Sequence, residues 1–560
     1  MSGRAELHLG QYQEAVDARL ARWDGEDFGR RLWEKDHRLW SPTPIPELTD
    51  RLGWLELPVS MRGVAERLTQ LAREAAAEGI RDAVVLGMGG SSLAPEVFSR
   101  TFGHTLGFPA LSVLDSTHPD AVRALAARLD LSRSLFLVSS KSGTTTETLS
   151  FFRFFWEALA PAGEARGRHF IAVTDPGTPL QKLAEERGFR AVVNAPEDVG
   201  GRYSALTPFG LAPAALLGLD LSRLLASGQA MAEACGPAAR TASNPGLVLG
   251  AALGELARAG RDKVTFVTSA SLESFPDWIE QLIAESTGKA ALASDGHRGI
   301  VPVAGEPLGT PEAYNDDRFF VALVLDGEEH PELESHFAAL QAAGHPVARI
   351  VLADRYDLGG EMFRWELATA AAGAVLELNP FDQPDVQLAK ELAGQAMKAA
   401  ESGSKPSTAG EVRVEENGTV GPALAEWVRG AQPGDYLGVH AYLEPAPRTT
   451  ELLRAVQAVL HERTRLAVTL GYGPRFLHST GQLHKGGPDR CRFLQLLDEP
   501  AEDVAVPETH YTFGTLIRAQ AEGDRQALEQ RGRKVLRLQL GRDERMALDR
   551  LLQDLGTALP

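Results

Sequence analysis

Cysteine is nearly missing from this chain: Cys235 and Cys491 are the only two among 560 residues. No CxxC or Cys/His spacing surrounds either, which argues against a disulfide framework and a structural zinc site and fits a reducing cytoplasm. The opening MSGRAELHLGQYQEAV scatters charges and has no apolar core, so a secretory signal is not expected. Long hydrophobic runs are lacking too. The longest uncharged stretch, Tyr203 to Leu219, holds two prolines, a serine and a threonine, and reads as a buried helix rather than a membrane span. No dense Lys/Arg cluster offsets the formal net charge of -18, so nucleic acid and acidic membranes are not expected partners. An anionic ligand would have to be drawn in by local groups.

The length exceeds what one core supports, so two to four domains are expected. From Ala83 to Val193, short apolar runs (AVVLG, LSVLD, LFLVSS, FIAVTD, AVVN) alternate with helical stretches, the pattern of a parallel α/β sheet. KVTFVTS, FFVALVL and ARIVLA repeat it, closing on the apolar run around Phe363 to Leu378. Glu401 to Pro422 reads as a linker or exposed hairpin. Beyond it DYLGVHAYL, RLAVTLGYG, RFLQLL and KVLRLQL give a third α/β segment. The expected division is a helical leader over 1–60, units over 61–225 and 226–425, and a C-terminal segment over 426–560.

Two segments follow strands and open helices. Gly87-Met-Gly-Gly-Ser-Ser92 places backbone N–H groups where an anion can bind. It fits a phosphate or sugar cradle, and its first two glycines also fit the start of a dinucleotide loop with Asp115 downstream, although Ser92 stands where the third glycine belongs. Ser139-Ser-Lys-Ser-Gly-Thr-Thr-Thr-Glu-Thr148 carries more hydroxyls than a helix cap uses, spaced to converge on one phosphate. The chain lacks GxxxxGK[ST], which disfavours nucleotide hydrolysis.

With these segments the chain resembles the sugar isomerase family, and more narrowly the glucose-6-phosphate isomerases. Asp198-Val-Gly-Gly-Arg-Tyr-Ser204 is similar to their first signature, Phe381-Asp-Gln-Pro-Asp-Val-Gln-Leu-Ala-Lys390 to their second, and Ala284-Glu-Ser-Thr-Gly-Lys289 to the segment bearing the general base. The resemblance implies two parallel-sheet sugar isomerase (SIS) domains plus the C-terminal α/β segment. It implies interconversion of glucose 6-phosphate and fructose 6-phosphate, with Glu285 as base, Arg202 stabilising the enediolate and Lys390 assisting ring opening. Gly90, Ser91, Ser140, Lys141, Ser142 and Thr145 match substrate-binding positions, with Glu147, Gly201 and Gln383 beside them, and the Lys141 side chain can turn away from phosphate. No cofactor is implied. No metal is expected either, since the histidines are scattered. The family commonly forms homodimers. Within it the chain is most like the isomerase part of bifunctional transaldolase/glucose-6-phosphate isomerases, with no separate transaldolase domain evident.

One departure stands out. The family's ring-opening histidine lies in an NGQHAF-like segment, and here the corresponding stretch, Glu306 to Asn315, has none. Phe476-Leu-His-Ser-Thr-Gly-Gln-Leu-His-Lys485 follows the strand RLAVTL, and either His478 or His484 is expected to take that role. Two other readings stay open: a phosphosugar-sensing module without turnover, and an isomerase that also accepts mannose 6-phosphate.

Overall fold

The computed structural model describes residues 4–292, 296–328, 331–401, 411–414 and 418–559. Its strands are short, apolar and mostly parallel. Ser134–Ser139 and Arg318–Leu325 are buried along their whole length, as strands covered by helices on both faces must be. Among the described residues they assemble into three five-stranded sheets and one short antiparallel pair, Lys289–Ala290 with His297–Arg298.

The first sheet runs Ala110–Leu114, Asp82–Gly87, Ser134–Ser139, Phe170–Thr174, Ala191–Asn194, all parallel. The second runs Val301–Val303, Lys263–Thr268, Arg318–Leu325, Val347–Leu352, with Arg4–His8 antiparallel at the edge. The third runs Ala467–Tyr472, Tyr436–Tyr442, Cys491–Leu497, Lys534–Gln539, Glu411–Arg413, all parallel. Each five-stranded sheet thus follows one rule: its first long strand lies between its second and third, its fourth lies outside the third, and only the edge strand differs. The C-terminal segment is a third copy of one doubly wound arrangement. In such sheets the chain leaves the first and third strands in opposite directions, opening a crevice at their carboxyl ends.

Two expectations need correction. The leader is not helical from the start: Arg4–His8 forms a strand, because the outer edge of Val347–Leu352 offers unpaired backbone groups. Glu411–Arg413, expected in a linker, pairs with the third sheet, so the third unit begins before residue 426. Residues 402–410 and 415–417 of the expected linker lie outside the described residues. The uncharged run after Tyr203 contains the helix Pro208–Leu216, buried on every side. No helix among the described residues is long and apolar enough to cross a membrane.

One packing device sets where the second signature lies. Helix Pro245–Arg258 lies against Leu358–Val375 through Gly246, Gly250 and Gly254, one per turn. A Cβ at Gly250 would stand 2.7 Å from the carbonyl of Ala368, and one at Gly254 2.5 Å from Cβ of Val375. The buried helix Leu358–Val375 then delivers Pro380 to Gln383 to the crevice of the first unit.

Gly250→Ala is therefore expected to lower stability by about 1–3 kcal/mol through overpacking. Gly63→Ala, on the helix Arg62–Ala77 with no atom within 4 Å of the new Cβ, is expected to be neutral or stabilising. Urea denaturation of the two variants checks the contrast.

Candidate active site

Strands Asp82–Gly87 and Ser134–Ser139 are neighbours, with Gly87 opposite Ser139, so the loops that follow them share one crevice. The first loop turns through a 3-10 segment, Gly89–Ser91, into the helix Leu93–Phe102. Gly90 meets the turn Gly201–Tyr203 backbone to backbone: a Cβ at Gly90 would stand 2.0 Å from the carbonyl oxygen of Gly201. The Ser204 hydroxyl donates to that same carbonyl at 2.6 Å. Gly90, Ser91 and Gly201 are thus brought together.

The second loop folds on its own hydroxyls. Ser140 Oγ lies 2.9 Å from Thr145 Oγ1 and accepts from the Gly143 N–H at 3.1 Å, while Ser142 Oγ lies 2.9 Å from Thr144 Oγ1. Gly143 takes φ +69° to make the turn. Thr145 precedes the helix Thr146–Ala158 and makes no side-chain cap bond, which leaves the helix N-terminus open to an anion. Lys141 is the exception among the loop residues expected to bind substrate. Its Nζ turns away to donate to Asp175 Oδ2 at 2.5 Å and to the Glu197 carbonyl at 3.2 Å.

Glu285 lies near the end of the helix Phe275–Thr287 and is 5% exposed. Arg202, 3% exposed, donates from Nη1 to Glu285 Oε2 at 3.0 Å and to Gln383 Oε1 at 3.2 Å, and from Nε to Ser286 Oγ at 2.9 Å. Its Nη2 donates to the carbonyls of Pro380 and Asp382 at 3.0 and 2.7 Å. Beneath it Tyr203 stacks on Trp54 and packs on Phe381, with ring centroids 5.4 and 5.3 Å apart. Burial pushes the Glu285 carboxyl above its ordinary range, and the charge and hydrogen bond of Arg202 restrain that rise.

The third unit closes this crevice with its turn Arg475–His478. His478 Nε2 lies 2.9 Å from Glu147 Oε1, and the His478 carbonyl accepts from Gln281 Nε2 at 2.8 Å. Burial would raise the Glu147 carboxyl; the charge of His478, its hydrogen bond and lesser contributions, Lys390 last among them, bring it below its ordinary value. Lys390 itself is exposed on Val386–Glu401. Arg475 ties the turn to the first two units, pairing with Glu96 and approaching Asp115 at 3.5 Å and Asp277 at 3.9 Å.

The structure separates the two candidate histidines. His484 is buried away from the carboxylates of the crevice, with Nδ1 3.1 Å from Nε2 of His440 and its ring stacked on that histidine at 4.7 Å. Burial, then the charges of His440 and Lys485, hold it well below the ordinary histidine pKa. It anchors the helix Gly481–Gly486 into the third unit, where Lys485 pairs with the fully buried Asp524 at 2.6 Å, and does not face the crevice. The segment Glu306 to Asn315 serves structure as well: Glu306 pairs with Arg318 at 3.0 Å, both side chains inaccessible.

Four participants escape a reading of the sequence. Gln281 sits one turn before Glu285 and donates to it at 3.5 Å, so its i, i+4 spacing was a usable signal. Lys289, in the same segment, donates to the carbonyls of Asn379 and Asp382 and to Asp382 Oδ1 at 2.6 to 2.9 Å. Arg475 and Gln520, the latter donating to Glu147 at 2.6 Å, give no local signal.

Residues 57–320 match the family model described as phosphoglucose isomerase. The chain is 31% identical to a glucose-6-phosphate isomerase of Rubrobacter xylanophilus over 411 residues, covering 66% of this chain and 94% of the relative. The chain belongs to the glucose-6-phosphate isomerase family. The enzyme of that name from Thermus thermophilus is 32% identical over 381 residues, covering 61% of this chain and 89% of its own. Among solved structures, a hypothetical protein of Thermus thermophilus superposes with a TM-score of 0.60 at 28% identity, covering 70% of this chain and 99% of that one. The Chlamydia trachomatis glucose-6-phosphate isomerase gives 0.53 at 21% identity over 67% of this chain and 78% of its own, a likeness of fold.

In this family member Lys289 offers a direct test of the site's electrostatics. Burial and then the Arg202 charge lower its pKa from 10.5 to about 8, against the pull of Asp382 and Glu285. Between those pH values the folded chain holds fewer protons there than the unfolded one, so Lys289 makes stability rise with pH across that window. Lys289→Met is expected to remove that rise, read as a flatter dependence of the thermal midpoint between about pH 8 and pH 10.

Proposed function

We propose that this protein interconverts D-glucose 6-phosphate and D-fructose 6-phosphate through a cis-enediol, a step of glycolysis and gluconeogenesis. The observation that carries the reading is the buried Glu285 carboxylate, paired with Arg202 at 3.0 Å in a crevice that also holds the Ser140–Thr145 hydroxyl loop. The loop hydroxyls and the helix N-terminus behind them take the phosphate. Gly90, Ser91, Gly201 and Gln383 line the sugar. Glu285 removes the C2 proton as the electron pair moves into the C1–C2 bond and O1 takes up charge and a proton. The O2 hydroxyl then loses its proton, and Glu285 returns its own to C1. The Arg202 guanidinium favours the enediolate over the neutral sugar.

Ring opening precedes this chemistry. His478, held by Glu147 at 2.9 Å, exchanges the proton, and Lys390, which contributes to the electrostatics of Glu147, assists. The third unit is on this reading an integral part of the isomerase, in line with the resemblance to the isomerase part of bifunctional proteins. The resemblance also carries a homodimer and a cytoplasmic setting, which we propose with it.

A coupled dehydrogenase assay from fructose 6-phosphate, run with chelator throughout, tests the reading. Glu285→Gln is expected to lose about 10²-fold or more in kcat/KM. The base must be ionised to act, so wild-type kcat/KM should fall with acid through a pKa above the ordinary 4.5 of a glutamate, the direction in which burial pushes Glu285. A wild-type protein that binds the sugar phosphate tightly without turnover would point instead to a sensing module.

A further inference from the structure

We infer that Gln520, from the helix Phe513–Gln530 of the third unit, is a positioning residue that sets the Glu147–His478 pair for the proton exchange of ring opening. The inference rests on the isomerase reading above. Gln520 Nε2 donates to Glu147 Oε1 at 2.6 Å, and that same oxygen meets His478 Nε2 at 2.9 Å. The amide cannot turn over: Thr117 Oγ1 donates to Gln520 Oε1 at 2.8 Å, and an ionised carboxylate only accepts, so the NH2 group must face Glu147. Thr117 is fully buried, Gln520 is 5% exposed and Glu147 6%. Water therefore cannot substitute cheaply for a lost partner.

Two consequences follow from one oxygen serving two donors. The amide bond spreads the carboxylate's charge, which weakens its pull on the His478 proton. It also fixes the carboxylate plane, and with it the imidazole. With Nε2 committed to Glu147, Nδ1 is the nitrogen left for the sugar. On the imidazolium, Nδ1 gives its proton to the ring oxygen as the C1–O5 bond of glucose 6-phosphate breaks, and takes the O1 hydroxyl proton as C1=O forms, so the residue ends as it began. The other charged groups felt by this pair are Glu285 and Asp115, through His478, and Lys390, through Glu147. None of them touches the bond that Gln520 makes.

The test is Gln520→Leu in the full chain, with two readouts. The first is kcat and KM for glucose 6-phosphate across pH. The second is the titration of the His478 ring by NMR in protein with 15N-labelled histidine. Loss of the shared hydrogen bond is expected to move the His478 titration to higher pH. It should also lower kcat about tenfold, less than the 10²–10⁴-fold of a general acid–base itself, with KM little changed. Thr117→Val, which frees the amide to turn, is expected to move the titration the same way by less, and Thr117→Ser to restore it. An unchanged His478 titration and kcat in both Gln520→Leu and Thr117→Val would overturn the proposal. A shifted titration in a protein whose wild type shows no turnover would support the hold of Gln520 on the pair and overturn the isomerase reading instead.

Discussion

A guanidinium offers five N–H donors in one plane, and burying it is tolerable only where each finds an acceptor, since a buried charge left without partners costs several kcal/mol. Arg202 meets that condition with acceptors from two distant parts of the chain: Glu285 and Ser286 at the end of one helix, and Pro380, Asp382 and Gln383 after another. The first signature, the base segment and the second signature are held in one place by that set of bonds. Lys289 reinforces it from below by holding the Asp382 carbonyl and carboxylate. The aromatic stack of Trp54, Tyr203 and Phe381 keeps the platform rigid. The same arginine that would steady negative charge on a substrate is thus the group around which the site is built.

The third unit extends this logic. Its sheet repeats the strand order of the first two, yet its switch point carries Asp498, which pairs with His118 of the first unit at 3.0 Å. Carboxylates there oppose an anion, whereas the first unit has hydroxyls and a helix N-terminus at the equivalent place. What the third unit brings to the crevice comes from elsewhere on it: His478 from a turn, Gln520 from a helix, and Arg475 as the ion-paired link. The buried Lys485–Asp524 pair and the His440–His484 stack hold the segment behind His478 to the sheet. The two histidines of that segment therefore do opposite things within six residues, one at the crevice and one in the core.

Much of this was legible in the chain itself. Alternating apolar runs and helical stretches predict three α/β units, because buried parallel strands must be apolar on both faces. The run of serines and threonines before Thr146 predicts an anion loop, because no cap uses so many hydroxyls. The signatures around Arg202, Glu285 and Gln383 share local patterns with the family, and local patterns survive in a linear string. The leader departs from a helical reading at Arg4–His8 alone among its described elements, because that segment becomes a strand only when an outside edge is offered to it. The turning away of the Lys141 side chain, open on the sequence, has its cause in Asp175 and the Glu197 carbonyl, which take its ammonium.

What the sequence by itself determined, then, was the kind of sheet, the hydroxyl-rich loop before Thr146 and the residue types available for proton transfer, all matters of short-range pattern. Which histidine faces the crevice was decided by the tertiary structure. His478 and His484 stand in one short segment with similar neighbours, and only the packing of the third unit against the first puts one ring beside Glu147 and the other beside His440. Gln520 and Thr117 are 403 positions apart and meet at 2.8 Å. A hydrogen bond depends on distance in space, and separation along the chain carries no trace of it until the chain has folded.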